Sequence, residues 1–446
     1  MWHFEVSHPF APGLEVRRHR LHNGLTLLVL ADGGAPIVSY QTWYAVGSRH
    51  ERPGATGMAH LFEHLMFNQT RSRPPGVFDR LVEEPGGDTN AATWVDWTYY
   101  RDTVPARDLA MVVELEADRM ADLLLETTQL ESEREVVANE RMQRVDDDID
   151  GFADEELGRL AFTVHPYQWP TIGWMEDIRA MQLDEVRAFY RTFYAPNNAT
   201  LVVVGDVVEA DLLALVERHY GQLPAADIPP PPAVVEPPQQ GERRVRFAKP
   251  TAAARLLYGY RAVSMGDPDW PVLAFVSELL TGGPSSRLYR RLVAEKEIAA
   301  SVGCDVAPFR DPALFRVAVV LTREHTPEEA EAEIADIIGE LAARPVGAEE
   351  LDKVRSVVET DFWSELEGVD GRAEALGHYQ TVLGDYRRLF DVAAALARVD
   401  AADVQRAIRR YLVPDNRSVV IIDPDPAGDE ADGADGDEEP GDEGDA

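Results

Sequence analysis

The chain has 446 residues, with 43 lysines and arginines against 79 aspartates and glutamates, and its formal net charge is −36. This acidic excess argues against nucleic acid as a partner, because the phosphate backbone would be repelled. No apolar run reaches the length that a membrane span requires. The first residues, MWHFEVSHPF, lack the basic and apolar regions of a signal peptide. We therefore expect a cytoplasmic protein that does not cross a membrane.

The first elements in chain order are strands. Asn23 and Gly24 form a hairpin-type turn, and the apolar runs LTLLVLA and IVSYQTWYAVGS follow, so residues 16–46 are predicted to contain two strands. Periodicity and helix propensity predict helices near residues 76–84, 106–125, 128–145 and 209–220.

The segment GMAHLFEHLMFNQT carries the clearest chemistry. Its apolar residues share one side of a predicted helix, while His60 and His64, four residues apart, project together from another side. Two imidazoles at this spacing can bind one zinc ion. Glu63 lies beside them, where its carboxylate can take a proton from an attacking water and pass it to a leaving amine. The order H-x-x-E-H is that of the inverzincins, although a helix with two packed or exposed histidines is the alternative for this motif alone.

A catalytic zinc site needs a third protein ligand. The candidate segment is ESEREVVANERMQR, which has strong helix propensity. Glu133 and Glu140 are seven residues apart, so both point to the same side of such a helix. Taken alone, the segment also fits a solvated acidic helix.

Residues 146–151, DDDIDG, match the start of an EF-hand calcium loop. Position 12 of that loop is Leu157, where a bidentate glutamate is needed. Without this ligand calcium binding is not expected, and a solvated acidic turn is predicted instead.

Two copies of one fold are indicated by length and by an internal repeat. The segment RAIRRYLVPDNRSVVIID at 406–423 follows the same order as RAFYRTFYAPNNATLVVVGD at 187–206: helix, proline turn and β-branched strand. We predict an α+β fold with two tandem homologous domains, each a β-sheet covered by helices. Their ranges are 1–222 and 243–423, joined by a Pro-rich linker at 223–242.

The C-terminal end differs from the rest in composition. Residues 423–446 hold 12 acidic residues and no basic one. Such a segment cannot bury enough apolar surface to fold. Residues 424–446 are therefore predicted to be a disordered acidic tail.

Together these motifs resemble the pitrilysin family of zinc peptidases, whose relatives include insulin-degrading enzyme and the mitochondrial processing peptidase. The resemblance covers nearly all of the chain up to about residue 423. It implies the LuxS/mitochondrial-processing-peptidase-like metallohydrolase fold and one zinc ion per chain. It also implies that Glu140, 76 residues after His64, is the third ligand and that Glu133 orients the site.

A third match is GGDTNAAT, followed by TYY. It resembles the family's strand edge that pairs with the substrate backbone beside the zinc. The resemblance implies that Asn90 and Ala91 contact a peptide through main-chain hydrogen bonds. An ordinary strand after a Gly-Gly-Asp turn is the alternative.

The second copy lacks the chemistry of the first. Its helix WPVLAFVSELLTGG contains no histidine, so it is predicted to have no metal site. In the family, the facing half supplies an arginine and a tyrosine that hold the substrate oxyanion. Those positions fall here on Val293 and Ala300, which offer no side-chain donor. The resemblance therefore implies a heterodimer in which a similar chain brings both residues.

The predicted function is that of a zinc endopeptidase subunit that hydrolyses peptides or short unfolded chains inside a clamshell chamber. His60, His64 and Glu140 would bind zinc, and Glu63 would act as base and then acid. The alternatives are a non-catalytic structural subunit, as in the respiratory-complex core proteins that resemble this family, and a non-peptidase hydrolase or lyase on a similar fold.

Overall fold

A computed structural model describes residues 1–425 of the chain. The predicted acidic tail, apart from its first two residues, lies outside the described part. Within that part the backbone forms two β-sheets with helices packed against them, so the predicted α+β class is confirmed.

The first sheet has seven strands in the order β1-β2-β3-β7-β4-β6-β5. Only β3 and β7 pair in parallel; the other neighbours are antiparallel. The strands are β1 Trp2–Ala11, β2 Leu14–Leu21, β3 Thr26–Ala31, β4 Ile37–Tyr44, β5 Asp88–Thr93, β6 Thr98–Pro105 and β7 Ala199–Gly205. The edge strand β1 was not predicted, and residues 16–46 contain parts of three strands, β2, β3 and β4, where two were predicted.

The second sheet has five strands in the order β10-β11-β9-β12-β8, with only β12 and β8 parallel. They are β8 Arg243–Lys249, β9 Arg255–Arg261, β10 Ala299–Val306, β11 Leu314–Leu321 and β12 Arg417–Pro424. This order and these directions repeat β5-β6-β4-β7-β3 of the first sheet strand for strand. The internal repeat read from the sequence is therefore a repeat of topology.

Eight helices precede the second sheet and six belong to the later part of the described chain. The first set is α1 Met58–Leu65, α2 Val77–Glu83, α3 Leu109–Asp122, α4 Thr127–Arg141, α5 Ile149–Ala161, α6 Met175–Ala180, α7 Leu183–Phe193 and α8 Glu209–Tyr220. The second set is α9 Trp270–Thr281, α10 Pro327–Ala343, α11 Ala348–Glu365, α12 Val369–Leu383, α13 Arg388–Leu396 and α14 Ala401–Tyr411.

The two halves exchange one helix each. Helix α5 packs on β12 and β9 of the second sheet, and α12 packs on β7 and β4 of the first. Because the strand repeat pairs β12 with β7 and β9 with β4, the exchange is reciprocal.

The DDDIDG segment lies at the start of α5, where Asp148 caps the helix by accepting a hydrogen bond from Gly151 N. Only its first residues form the acidic turn that was predicted.

This exchange explains why β3 and β7 are apolar at nearly every position. Leu27 and Val203 face a core that includes the helices of the first half. Leu28 and Val202 face the opposite way, into a cluster with Leu376 of α12. A strand covered on both faces needs apolar side chains on both, so the alternation of a half-exposed strand is absent.

Residues 224–240, between α8 and β8, contain no helix or strand. One buried carboxylate nevertheless ties this segment to the first half. Glu236 accepts hydrogen bonds from the backbone amides of Thr163, Val164 and His165 at 2.8–2.9 Å, and from the Thr163 hydroxyl. The domain ranges predicted on either side of the segment stay a prediction.

Candidate metal centre and peptide-binding edge

Packing of the apolar residues of helix α1 into the core determines where its polar residues His60, Glu63 and His64 lie. Leu61, Phe62 and Leu65 are buried in the first core, which fixes the rotation of the helix about its axis. His60 is 9% exposed, and Glu63 and His64 are half-buried on the other sides. The helix begins directly after Gly57, whose φ of 85° favours glycine.

The N-terminus of α1 is held by a carboxylate that sequence reasoning missed. Glu51 accepts hydrogen bonds from Gly57 N at 2.9 Å and from Ala59 N at 2.8 Å. Burial raises the pKa of Glu51 to about 8, although these amide donors favour its anionic form. An acidic residue seven positions before the first residue of the helix is the only sequence signal for this capping role.

His60, His64 and Glu140 come together in space, as the family resemblance implied. One ligand atom from each lies within 4.8 Å of the others. Glu140 Oε2 is 3.2 Å from His64 Nε2 and 3.6 Å from His60 Nε2. Helix α4 carries Glu140 and packs against α1, so a helix–helix contact forms the group.

The charge states of the three side chains follow from burial and from their mutual contact. Burial lowers the pKa of His60 to about 4, so its imidazole is neutral at neutral pH. Burial also lowers the pKa of His64, but the carboxylates of Glu140, Glu63 and Glu133 together outweigh that effect and the net pKa is raised. His64 in turn lowers the pKa of Glu140 and keeps it anionic.

The donor set fits a zinc ion. Two imidazoles and one carboxylate are ligands that zinc accepts, and three protein ligands leave a position for substrate or water. Glu140 Oε2 and His60 Nδ1 are buried without a hydrogen-bond partner. A buried carboxylate oxygen without a donor is costly unless a cation approaches it. Within residues 1–425 no other group of three His, Cys, Asp or Glu side chains has this geometry.

Glu63 stands at the same face of α1. Burial raises the pKa of its carboxylate, and the nearby hydroxyl of Thr93 at the end of β5 opposes that rise. A carboxylate with a raised pKa accepts a proton more readily than an exposed one, which suits general-base chemistry. Glu63 is therefore close both to the three-residue group and to Thr93 of the edge strand.

Glu133 lies on the far side of His64 from Glu140. Its Oε2 atom is 3.6 Å from His64 Nδ1, while its Oε1 atom accepts a 2.8 Å hydrogen bond from Asn68 Nδ2. A carboxylate behind a ligand histidine orients the ring and selects its tautomer. Asn68 was not among the predicted site residues, because nothing local in the sequence connects it to a residue 65 positions away.

Asn90 and Ala91 lie on β5, which is the edge strand of the first sheet. Asn90 is exposed and Ala91 is half-buried. One side of β5 pairs with β6, and no strand of the described chain pairs with the other side. The site therefore adjoins an edge at which an extended peptide could add as a further strand.

The second half offers no counterpart of these groups at the positions singled out from the sequence. Val293 is half-buried against the second core, and Ala300 is exposed on the edge strand β10. Neither side chain can donate a hydrogen bond.

Comparisons with known proteins agree with this architecture. The family model described as insulinase (peptidase family M16) matches residues 27–173, and that of the peptidase M16 inactive domain matches residues 180–358. Zinc protease PqqE of Helicobacter pylori is 30% identical over 408 residues, which are 91% of this chain and 92% of the relative. The crystal structure of a protease from Helicobacter pylori has a TM-score of 0.88 at 30% identity, covering 92% of this chain and 99% of that one.

Mitochondrial-processing peptidase subunit beta of Blastocladiella emersonii is 24% identical over 429 residues, 91% of this chain and 88% of the relative. The fold, with its two repeats, is that of the peptidase M16 structures to which the chain is similar. The chain belongs to the insulinase family of peptidases, M16, and the resemblance to the pitrilysin family is thereby confirmed. Among residues 1–425 no helix has the length and apolar character needed to traverse a lipid bilayer.

Proposed function

We propose that this chain is a zinc-dependent endopeptidase subunit that hydrolyses peptides or short unfolded chains. The observation that carries the proposal is the convergence of His60, His64 and Glu140, with a buried oxygen of Glu140 directed at both imidazoles. Relatives that span nearly the same length are named zinc proteases, which supports the same activity here.

Each residue has a distinct role in this proposal. His60, His64 and Glu140 would hold one zinc ion, which would supply a Lewis acid at the site. Glu63 takes the proton of the attacking water and delivers it to the leaving amine. Glu133, held by Asn68, keeps the ring of His64 in place.

The substrate would lie as an extended strand along β5. Main-chain hydrogen bonds at Asn90 and Ala91 would bind the backbone of the substrate irrespective of its sequence. Since Thr93 at the end of β5 is close to Glu63, a peptide in this position would bring a backbone carbonyl next to the proposed base.

A partner subunit completes the proposal. The tetrahedral oxyanion needs hydrogen-bond donors, and Val293 and Ala300 supply none. We therefore propose a heterodimer that encloses a chamber, with a homologous chain providing an arginine and a tyrosine. One relative is named as the beta subunit of a processing peptidase, which is consistent with such an assembly. The cytoplasmic location and the absence of nucleic-acid partners stay predictions from the sequence.

Zinc content and Glu63→Gln test the function together. We expect one zinc per chain in the wild type and in Glu63→Gln, with peptide hydrolysis lost only in the variant, because the amide cannot accept a proton. A wild-type protein that binds no zinc would favour the alternative of a structural subunit. If the Glu63→Gln protein still cleaves peptides, Glu63 is not the general base.

A further inference from the structure

The two carboxylate oxygens of Glu140 lie in different surroundings. Oε2 turns inward to the imidazoles of His60 and His64 and is buried without a hydrogen-bond partner. Oε1 turns outward and lies 3.1 Å from Nη1 of Arg144. One oxygen thus already has a cation, and the other faces the position where a metal would bind.

Arg144 reaches Glu140 because the helix continues past it. Helix α4 ends at Arg141, and residues Met142–Asp146 follow as one π-helical turn. Arg144 is therefore close to the residue four positions earlier. Such turns are frequently found at functional sites.

The neighbouring arginine has a different assignment. Arg141 is buried, and its guanidinium binds the Glu155 carboxylate at 2.8 and 3.1 Å and the Gly173 carbonyl at 2.8 Å. Arg144 is 74% exposed, and its only ion pair among residues 1–425 is with Glu140. Arg141 therefore stabilises the packing around it, whereas the ion pair of Arg144 is with the proposed metal ligand Glu140.

The charges around the site also favour a role for Arg144 there. The site carries three carboxylates, because Glu63 and Glu133 lie close to His64 together with Glu140. Arg144 lies near enough to influence the charge of His60, Glu63 and Glu140. Within residues 1–425, no lysine and no other arginine forms an ion pair with Glu63, Glu133 or Glu140.

We infer that Arg144 is a positioning residue for the metal centre: by holding Oε1 of Glu140, it keeps Oε2 directed at the metal as a single-oxygen ligand. This inference rests on the proposed function, since it assumes that Glu140 is a zinc ligand. Partners that orient ligands in this way usually change metal affinity or activity by about 10–100-fold when they are removed.

The test measures zinc affinity first and activity second. Wild-type protein, Arg144→Gln and Arg144→Lys are stripped of metal and titrated with zinc alone against a fluorescent chelator. We expect Arg144→Gln to bind zinc about 10–100-fold more weakly. Arg144→Lys should recover part of the affinity, because it keeps the charge but loses the planar fork of donors.

Arg80→Gln is a matched control. Arg80 and Glu84 form an exposed ion pair at the C-terminal end of α2 with the same 3.1 Å distance and four-residue spacing, and neither belongs to the His-His-Glu group. This variant should keep wild-type zinc affinity. The melting temperature of the zinc-free Arg144→Gln protein should also match that of the zinc-free wild type, since an exposed pair contributes little to stability.

In peptide hydrolysis at saturating zinc, Arg144→Gln should lower kcat and leave KM unchanged. Unchanged zinc affinity in Arg144→Gln would overturn the inference while the proposed function stood. A raised KM at unchanged zinc affinity would overturn it in favour of a substrate contact. A wild-type protein without measurable zinc binding would overturn both the inference and the proposed function.

Discussion

The backbone of Gly377 in α12 lies directly against the indole ring of Trp43 in β4. A Cβ atom at position 377 would come within 2.2 Å of Trp43 Nε1. Trp43 is only 1% exposed and stacks on Tyr99 with ring centroids 4.4 Å apart, so it has no space into which to move. This contact is where the exchanged helix of the second half meets the sheet of the first.

Gly377→Ala should therefore destabilise the protein by about 1–3 kcal/mol, the usual cost of overfilling a packed interior. Chemical denaturation measures the change. Gly339→Ala is the control, because Gly339 lies in α10 and a Cβ atom added there would meet no atom within 4 Å. That substitution should stabilise the helix by about 0.5–1 kcal/mol. Equal effects at the two positions would contradict the role given to the Gly377 contact.

Removal of the Glu51 cap should weaken the metal centre without touching a ligand. In Glu51→Ala the amides of Gly57 and Ala59 lose their acceptor, and α1 is held less firmly. We expect a loss of about 0.5–2 kcal/mol in stability together with weaker zinc binding. Thermal unfolding and zinc titration report the two effects. Glu176→Ala, at an exposed position of α6, should change neither.

Asn68→Ala should reduce activity through Glu133. The substitution removes the 2.8 Å hydrogen bond to Glu133 and frees that carboxylate to turn away from His64. We expect kcat for peptide hydrolysis to fall by roughly 10-fold or more, with the fold intact by circular dichroism. Gln69→Ala is the adjacent control. Wild-type kcat in Asn68→Ala would show that Glu133 needs no support from Asn68.

Glu236 should make stability depend on pH in the acid range. Burial alone would raise its pKa, but the hydrogen bonds from Thr163, Val164 and His165 hold it at about 2. Because this value is below the ordinary 4.5, the stabilisation is complete above about pH 4.5 and is lost as the pH falls towards about 2. The full contribution corresponds to roughly 3 kcal/mol.

Glu236→Gln should accordingly be less stable than the wild type at pH 7, and the difference should shrink as the pH falls from about 4.5 towards about 2. Urea denaturation at a series of pH values measures it. Asp227→Asn, an exposed carboxylate in the same segment, should show no such difference. A constant difference at every pH would mean that the Glu236 contact stabilises by shape and not by charge.

The proposed partner subunit should raise the peptidase activity of this chain. Removing one oxyanion donor commonly lowers kcat by about 10²–10³-fold, so the chain alone should be a poor peptidase. A mixture with a homologous chain that carries the arginine and tyrosine should be far more active. The double variant Val293→Arg, Ala300→Tyr should gain activity if two copies of this chain can face each other. Full activity of the purified chain alone would contradict the heterodimer.

Local periodicity explains what the sequence by itself determined. His60 and His64 share a helix face because they are four residues apart, and Glu133 and Glu140 do so because they are seven apart; both relations hold on any helix. The two-copy fold was predictable for a similar reason, since the order of helix, turn and strand repeats in the chain. The helix ranges agree with the structure to within a few residues.

Tertiary structure decided what depends on contacts between distant segments. The exchange of α5 and α12 was not predictable, because an apolar helix face does not specify which of two similar sheets it covers. The bond from Asn68 to Glu133 and the unequal surroundings of the two Glu140 oxygens arise from the packing of α4 on α1 and from the turn after α4. Side-chain periodicity sets the direction of a residue from its own helix, whereas its partner is set by the position of the neighbouring helix in the complete fold.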